Sequence, residues 1–217
     1  MAEALRRAAL FFDLDGTLID SEPGITRCVA HALQELGEPV PDAAALRRWI
    51  GPPLRASFTP LLRDPARVEK AVALYLERFD QTGWREHRIY EGVAELIESL
   101  AASGHRLAVV TAKNEPHARR IVEHLPFGHH FQTVSGAGLD AAHADKTGLI
   151  AEAMQRLSLT ADDCVMIGDR HMDIDGARAH GMRGIGVLWG FGGEAELRDA
   201  GAHALLRHPQ ELESVLA

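Results

Sequence analysis

Five short apolar runs mark the chain, at residues 8–12, 107–110, 131–134, 164–167 and 184–188. Polar alternation within them is weak. That suits strands buried on both faces, as in a parallel sheet. Between the runs the apolar spacing becomes helical. Val93, Leu96, Ile97 and Leu100 recur at intervals of three and four within 92–102. The segment 115–125 carries Pro116 in its first turn, where a missing N–H costs little. In 146–157, Ile150 and Met154 stand four apart, and 174–180 runs into Gly181, a C-terminal stop signal. Strand and helix alternate from about residue 84 onward, which predicts a doubly wound α/β sheet.

Residues 19–83 break that rhythm. The segments 25–36, 43–50, 54–62 and 65–79 all read as helices, punctuated by Pro39, Pro41, Pro52, Pro53 and Pro65. No strand candidate lies among them. The pattern predicts a helical insertion directly after the first strand. The α/β core is then 1–18 plus 84–217, and 19–83 forms a helical cap. There is no internal repeat and no low-complexity segment.

A length of 217 residues corresponds to between one and two domains. Apolar residues at 46% supply enough surface to offset chain entropy, which argues against disorder of the whole chain. No stretch approaches the roughly 20 uncharged residues of a membrane-spanning helix. Arg6 and Arg7 precede the first apolar run, but Asp13 ends that run too early for a signal peptide. The net charge of −8 argues against nucleic acid as a partner. Cys28 and Cys164 form neither a metal spacing nor a disulfide framework, which suits a reducing, cytoplasmic setting.

Ligands of open α/β sheets bind beyond the carboxyl ends of the strands, so the residues closing each run carry the chemistry. The first run ends Asp13-Leu14-Asp15-Gly16-Thr17, and the fourth ends Gly168-Asp169 with Asp173 four residues on. Four carboxylates converging on one edge repel one another without a cation. An all-oxygen set of this kind suits a hard divalent ion such as Mg²⁺. Thr111 closes the second run, where its hydroxyl and the N–H groups of a helix start could hold a phosphate oxygen. Lys146 is the cation placed to offset charge on a transferring phosphoryl group.

At these residues the sequence resembles the haloacid dehalogenase superfamily hydrolases. Asp13 to Leu18 matches the family's first motif and Thr111 its second. Lys146 matches the third, and Gly168-Asp169 with Asp173 the fourth. The position of the insertion resembles the subgroup of phosphoglycolate phosphatases, β-phosphoglucomutases and dehalogenases. The resemblance implies that Asp13 attacks phosphorus to form an aspartyl-phosphate. Asp15 then acts first as acid and later as base. It further implies that Mg²⁺ is held by Asp13, Asp169 and the carbonyl of Asp15, with Asp173 behind them. Lys146 neutralises Asp13. The phosphate contacts would be Thr111, Ala112, Lys113, Gly16 and Thr17. The helical insertion would act as a lid.

Thr147 departs from the family pattern, since it follows Lys146 where proline is frequent. Gly16-Thr17 fits the phosphatase pattern, whereas mutases of the group often carry valine at the position of Thr17. Gly51-Pro52-Pro53-Leu54-Arg55 is a turn signal that also resembles a lid segment of phosphoglycolate-phosphatase-like and 5'-nucleotidase-like members. Arg55, Arg47 and Arg48 are either contacts for an anionic substrate or solvated helix residues. Twelve histidines are scattered, including His129-His130 in a loop and His171 between two of the acids. Surface or structural roles are the expectation for all of them.

The leading reading is a Mg²⁺-dependent phosphatase acting on a small, phosphoglycolate-like monoester, as a monomer or homodimer without nucleic-acid or membrane partners. A 5'-nucleotidase is the alternative. It would need aromatic walls for a base, for which Trp49, Phe58 and Tyr75 are available. A sugar-phosphate phosphatase or phosphomutase, and a phosphate-binding regulatory protein without turnover, remain further readings.

Overall fold

A computed structural model describes residues 8–138 and 145–216. Arg6 and Arg7 lie outside the described residues. The chain divides into two compact units, one drawn from Met1–Ile19 and Ile89–Ala217 and the other comprising Asp20–Arg88.

The first unit is built on a six-stranded sheet. Its strands are β1 (Ala9–Phe12), β4 (Arg106–Asn114), β5 (Phe131–Ala137), β6 (Cys164–Gly168), β7 (Arg183–Val187) and β8 (Ala204–Leu206). All neighbours pair in parallel, in the order β5-β4-β1-β6-β7-β8. Two further strands, β2 (Ile19–Asp20) and β3 (Arg88–Ile89), form a separate two-stranded pair where the chain passes between the units. From β1 the chain builds outward to β5, returns beside β1 with β6, and builds the other way. This reversal is the switch point at which ligands bind in open α/β sheets. The fold is the doubly wound α/β class that the strand–helix rhythm predicts.

Helices α5 (Val93–Ala102), α6 (Glu115–His124), α7 (Lys146–Leu157), α8 (His171–Ala179), α9 (Glu194–Asp199) and α10 (Glu211–Leu216) flank the sheet. Every residue of β1 is buried, with Leu10 and Phe11 fully so. Alternate side chains point to opposite faces. Phe11 packs with Ala108, Met166, Ile150 and Ala153 on the α7 side. Phe12 faces the other way and meets Phe131 edge-on at 6.3 Å. Burial of a side chain of this size contributes about 1.5–3 kcal/mol, which is what anchors the strand carrying Asp13.

The second unit is helical: α1 (Glu22–Glu35), α2 (Ala43–Arg47), α3 (Leu54–Leu62) and α4 (Pro65–Gln81). Ile25, Cys28, Val29, Ala32 and Leu33 form one stripe on α1, and Val68, Ala71, Val72, Tyr75 and Phe79 form its counterpart on α4. This i, i+3, i+4, i+7 spacing is what two packed amphipathic helices need. Asp64 caps α4 by accepting from the Ala66 N–H, and Pro65 occupies its first turn. Trp84 is 2% exposed, and Gly83 sits so close to Cys28 that a Cβ would stand 2.5 Å from Sγ. Residues 84–88 therefore fold with the helices, although the sequence pattern assigns them to the core.

Other boundaries differ in small ways. β2 begins at Ile19, inside a segment read as strand-free, and it needs only two residues because it pairs with β3. β8 and the helices α9 and α10 were not read from the sequence. Each is only three to six residues long, too short for a periodic signal. Among the described residues no helix is long and apolar enough to cross a membrane. Cys28 and Cys164 are buried and unbridged.

Candidate active site

Register places the site. Phe12 pairs with Val109 on one side and Ile167 on the other, so Asp13, Val110 and Gly168 reach the carboxyl edge together. The Asp13 N–H donates to the Ile167 carbonyl at 2.9 Å, which fixes where its side chain leaves the sheet. Asp13, Asp169 and Asp173 each offer an oxygen within 4.8 Å of the other two, and all three are buried.

Lys146 is the cation among them. It is the first residue of α7, whose cap Asp145 accepts from the Thr147 N–H. Its Nζ donates to Asp13 Oδ1 and to the Val110 carbonyl, both at 2.9 Å. Asp173 Oδ1 lies 2.7 Å from the same nitrogen, an ion contact without hydrogen-bond alignment. Gly176 on α8 makes room for this stem, since a Cβ there would stand 3.1 Å from Lys146 Cγ.

Asp173 has two jobs. Its Oδ2 accepts from the Arg170 N–H, capping α8, while Oδ1 faces Lys146. Helix-start chemistry and site chemistry are carried by opposite oxygens of one carboxylate. That helix starts at His171, three residues before the point the spacing gives.

Asp169 is fully buried and tied from two sides. Thr17 Oγ1 donates to Oδ1 at 3.3 Å, and the Phe191 N–H donates to Oδ2 at 2.8 Å. Trp189 Nε1 donates to the Thr17 carbonyl at 3.0 Å, so one segment after β7 braces both the first loop and Asp169. Glycines permit the approach. A Cβ on Gly16, whose φ is +93°, would fall 2.3 Å from Asp169 Oδ2, and one on Gly190 would fall 2.3 Å from the Gly16 carbonyl. Trp189, Gly190 and Phe191 were missed from the sequence. The signal available was the glycine-dense stretch immediately beyond the fifth apolar run.

Burial sets the electrostatics. It pushes the Asp13 carboxyl up to about 6, against the lowering pull of Lys146 and with a further raise from Asp173. Burial, with Asp13 and Asp173 adding to it, pushes Asp169 up to about 8. For Lys146 burial acts to lower the value, but Asp13 and Asp173 outweigh it and hold the ammonium above the ordinary lysine range. Three carboxylates against one ammonium leave a deficit of positive charge. The oxygen-only, buried donor set fits a hard divalent cation. Asp13, Asp169 and Asp173 are the residues that could hold it.

Asp15 does not join the carboxylate cluster through its side chain. Its Oδ2 pairs with Lys113 Nζ at 2.8 Å, and its buried Oδ1 lacks a hydrogen-bond partner among the described residues. Lys113 is thus beside Asp15, on the extension of β4 beyond Thr111. Thr111 is buried, and its Oγ1 accepts from the Lys113 N–H at 3.2 Å, leaving the hydroxyl proton to donate. Thr111 lies in the strand and not beside the helix start, which falls at Glu115 as the spacing gives. β4 continues with an irregular register to Asn114, and α6 starts only at Glu115. The N–H groups around Thr111, Ala112 and Lys113 that could meet an anion therefore belong to an irregular strand end.

The helical unit carries most of the remaining candidates. Arg55 is exposed on α3 and paired bidentately with Glu69, at 2.7 and 2.9 Å. Arg47 pairs with Glu22 at 3.3 Å, and Arg48 is exposed. Phe58 and Tyr75 are buried within the helical unit, and Trp49 stacks edge-on against Phe58 at 4.8 Å. His171 is paired with Asp175 on the surface of α8.

The family model for haloacid dehalogenase-like hydrolases matches residues 10–187. The chain belongs to this family. Among relatives of this haloacid dehalogenase-like hydrolase is a 5'-nucleotidase of Pseudomonas aeruginosa. The two are 45% identical over 196 residues, which cover 90% of this chain and 89% of that protein. The tyrosine-protein kinase PtkA of Mycobacterium tuberculosis is 35% identical over 207 residues, covering 95% of this chain and 70% of its own length. A solved structure of a predicted phosphatase from Clostridium acetobutylicum is 35% identical. It superposes with a TM-score of 0.89 and covers 97% of this chain and 98% of that one. Further relatives, at 29% and 30% identity, are named phosphoglycolate phosphatase. The chain is a phosphatase of this family.

Proposed function

We propose that the protein is a Mg²⁺-dependent phosphomonoesterase working through an aspartyl-phosphate on Asp13, with a nucleoside 5'-monophosphate as its substrate class. One observation carries the chemistry: buried Asp13 stands beside Lys146 and within reach of Asp169, while Asp15 keeps one oxygen unengaged. The 45% identity to a 5'-nucleotidase carries the substrate class. The sequence alone favours the smaller phosphoglycolate. Relatives near 30% identity support that as the second reading.

In the first step an Asp13 oxygen forms a bond to phosphorus as the ester P–O bond breaks. Asp15 delivers its proton to the departing alcohol oxygen. In the second step Asp15 takes a proton from water, whose oxygen bonds to phosphorus while the Asp13–phosphorus bond breaks. Inorganic phosphate leaves and Asp13 is restored. Lys146 holds one Asp13 oxygen throughout and faces the charge building on the phosphoryl group. Thr111 donates its hydroxyl proton to a phosphoryl oxygen, and Lys113 moves from Asp15 to the incoming anion. Thr17 keeps Asp169 oriented. When bound, the divalent cation supplies neutralisation of the phosphoryl oxygens. The helical unit is the lid in this reading, with Arg55, Arg47 or Arg48 available to an anionic substrate group.

A panel of nucleoside 5'-monophosphates, phosphoglycolate and sugar phosphates, ranked by kcat/KM with and without Mg²⁺, tests the proposal. Preference for nucleoside monophosphates by tenfold or more supports the first reading. Preference for phosphoglycolate by that margin supports the second. Transfer between sugar phosphates without phosphate release overturns both.

A further inference from the structure

Three metal-ligating side chains meet on the sheet's amino edge, opposite the catalytic one. His129 and His130 end the short 3₁₀ turn Gly128–His130 that leads into β5, and Glu98 projects from α5. His130 Nε2 lies 2.8 Å from Glu98 Oε2, and the two imidazole rings are 4.0 Å apart between centroids. One ligating atom from each residue falls within 4.8 Å of the other two.

The turn holding the two histidines is a fixed seat. Gly128 donates to the Leu125 carbonyl at 2.9 Å, and His130 donates to the Phe127 carbonyl at 3.1 Å. Phe127 is fully buried, and a Cβ on Gly128 would stand 1.8 Å from the Val122 carbonyl. The side chains above this seat can still adjust, because Glu98 and His129 are exposed. Tetrahedral ligation at about 2.0–2.1 Å places donor atoms about 3.3 Å apart. Glu98 and His130 need open by only about half an ångström from their hydrogen-bonded separation, while His129 closes in.

We propose that Glu98, His129 and His130 form a second metal site, which binds a late first-row divalent ion such as Zn²⁺ with water completing the shell. Two imidazoles and one carboxylate form a borderline-soft donor set. That set suits zinc or copper and disfavours the hard ions suited to Asp13 and Asp169. The bound ion would tie α5 to the start of β5. Sequence spacing could not show this, since the third ligand lies on a different element from the two adjacent histidines.

The test is Zn²⁺ uptake by the metal-free protein against a chromophoric chelator, with Mg²⁺ in excess throughout. The proteins compared are the wild type, Glu98→Gln, His129→Ala, His130→Ala and Asp169→Asn, each checked by circular dichroism. Ring-nitrogen NMR of the wild type identifies the histidines that respond. One equivalent bound equally by wild type and Asp169→Asn is expected. Each of the other three variants should bind it at least tenfold more weakly, and His129 and His130 resonances should move on titration. Wild-type affinity in the Glu98, His129 and His130 variants, or loss only in Asp169→Asn, would overturn the proposal.

Discussion

Lys146 Nζ lies 2.9 Å from Asp13 Oδ1 and 2.7 Å from Asp173 Oδ1, so a single buried ammonium serves two buried carboxylates. Removing one partner of such a group leaves uncompensated charge, at a cost of about 3–5 kcal/mol. Lys146→Met should therefore lower the urea midpoint of the chelator-treated protein markedly. Added Mg²⁺ should recover part of the loss, while phosphate release falls by about a hundredfold or more. A midpoint equal to wild type in chelator would show that the ammonium does not hold this cluster together.

The raised acids give a signed pH dependence. Asp13 and Asp169 sit near 6 and 8 in the folded protein, against 3.8 for an unperturbed aspartate. Between about pH 4 and pH 8 the cation-free folded state therefore binds more protons than the unfolded chain. This contribution to stability is favourable at the acid end and is lost as pH rises. A cation must displace those protons, so its affinity falls about tenfold per unit below pH 8 as Asp169 takes up its proton, and more steeply below about pH 6 where Asp13 joins it. Calorimetry at pH 6 and pH 8 should show weaker Mg²⁺ binding and greater proton release at the lower pH. Equal affinity at both would contradict the protonation scheme.

The Trp189–Gly192 segment is a brace for Asp169. A Cβ on Gly192 would stand 1.8 Å from the Asp169 carbonyl, and one on Gly190 would strike the Gly16 carbonyl. Gly190→Ala should cost about 1–3 kcal/mol through overpacking and weaken Mg²⁺ binding together with kcat. Trp189→Phe removes the hydrogen bond to Thr17 and part of the ring's packing without introducing a clash, and should produce the smaller loss of the two. Calorimetric Mg²⁺ titration of both variants checks the order, and unchanged affinity in both would dissociate the brace from the cation site.

Arg55 tests whether the helical unit contributes to substrate recognition in the proposed reading. It is an exposed residue whose mapped partner is Glu69. Arg55→Ala should leave the melting temperature near wild type and kcat on an aryl phosphate unchanged. KM for an anionic physiological ester should rise severalfold. Unchanged KM across the substrate panel would return Arg55 to the role of a solvated helix residue.

The parts legible in the sequence were those where a local pattern and a site coincide. Asp13 and Asp169 close apolar runs, and parallel pairing carries both to the same edge. Lys146 was legible as a lone cation before a helix, but its bond to the Val110 carbonyl belongs to tertiary structure. Asp15 sharing a cluster with the other acids was the natural reading of four carboxylates. Lys113 draws its side chain aside, a contact set by the irregular end of β4. The Trp189 brace stayed hidden because its partners, Thr17 and Asp169, are remote in sequence. The aromatic residues considered for a base pocket pack within the helical unit, as their helical spacing also allows.

The central claim is that Asp13 carries the phosphoryl group. Asp15→Asn should slow the water step without removing the nucleophile, so this variant is the one in which the intermediate accumulates. The decisive measurement is peptide mass mapping of that variant after acid quenching from an activated aryl phosphate, with Asp13→Asn as the comparison. Phosphate on Asp13 in the first protein, with neither adduct nor turnover in the second, is the predicted result. An unmodified Asp13 together with sustained phosphate release by Asp13→Asn would contradict the account.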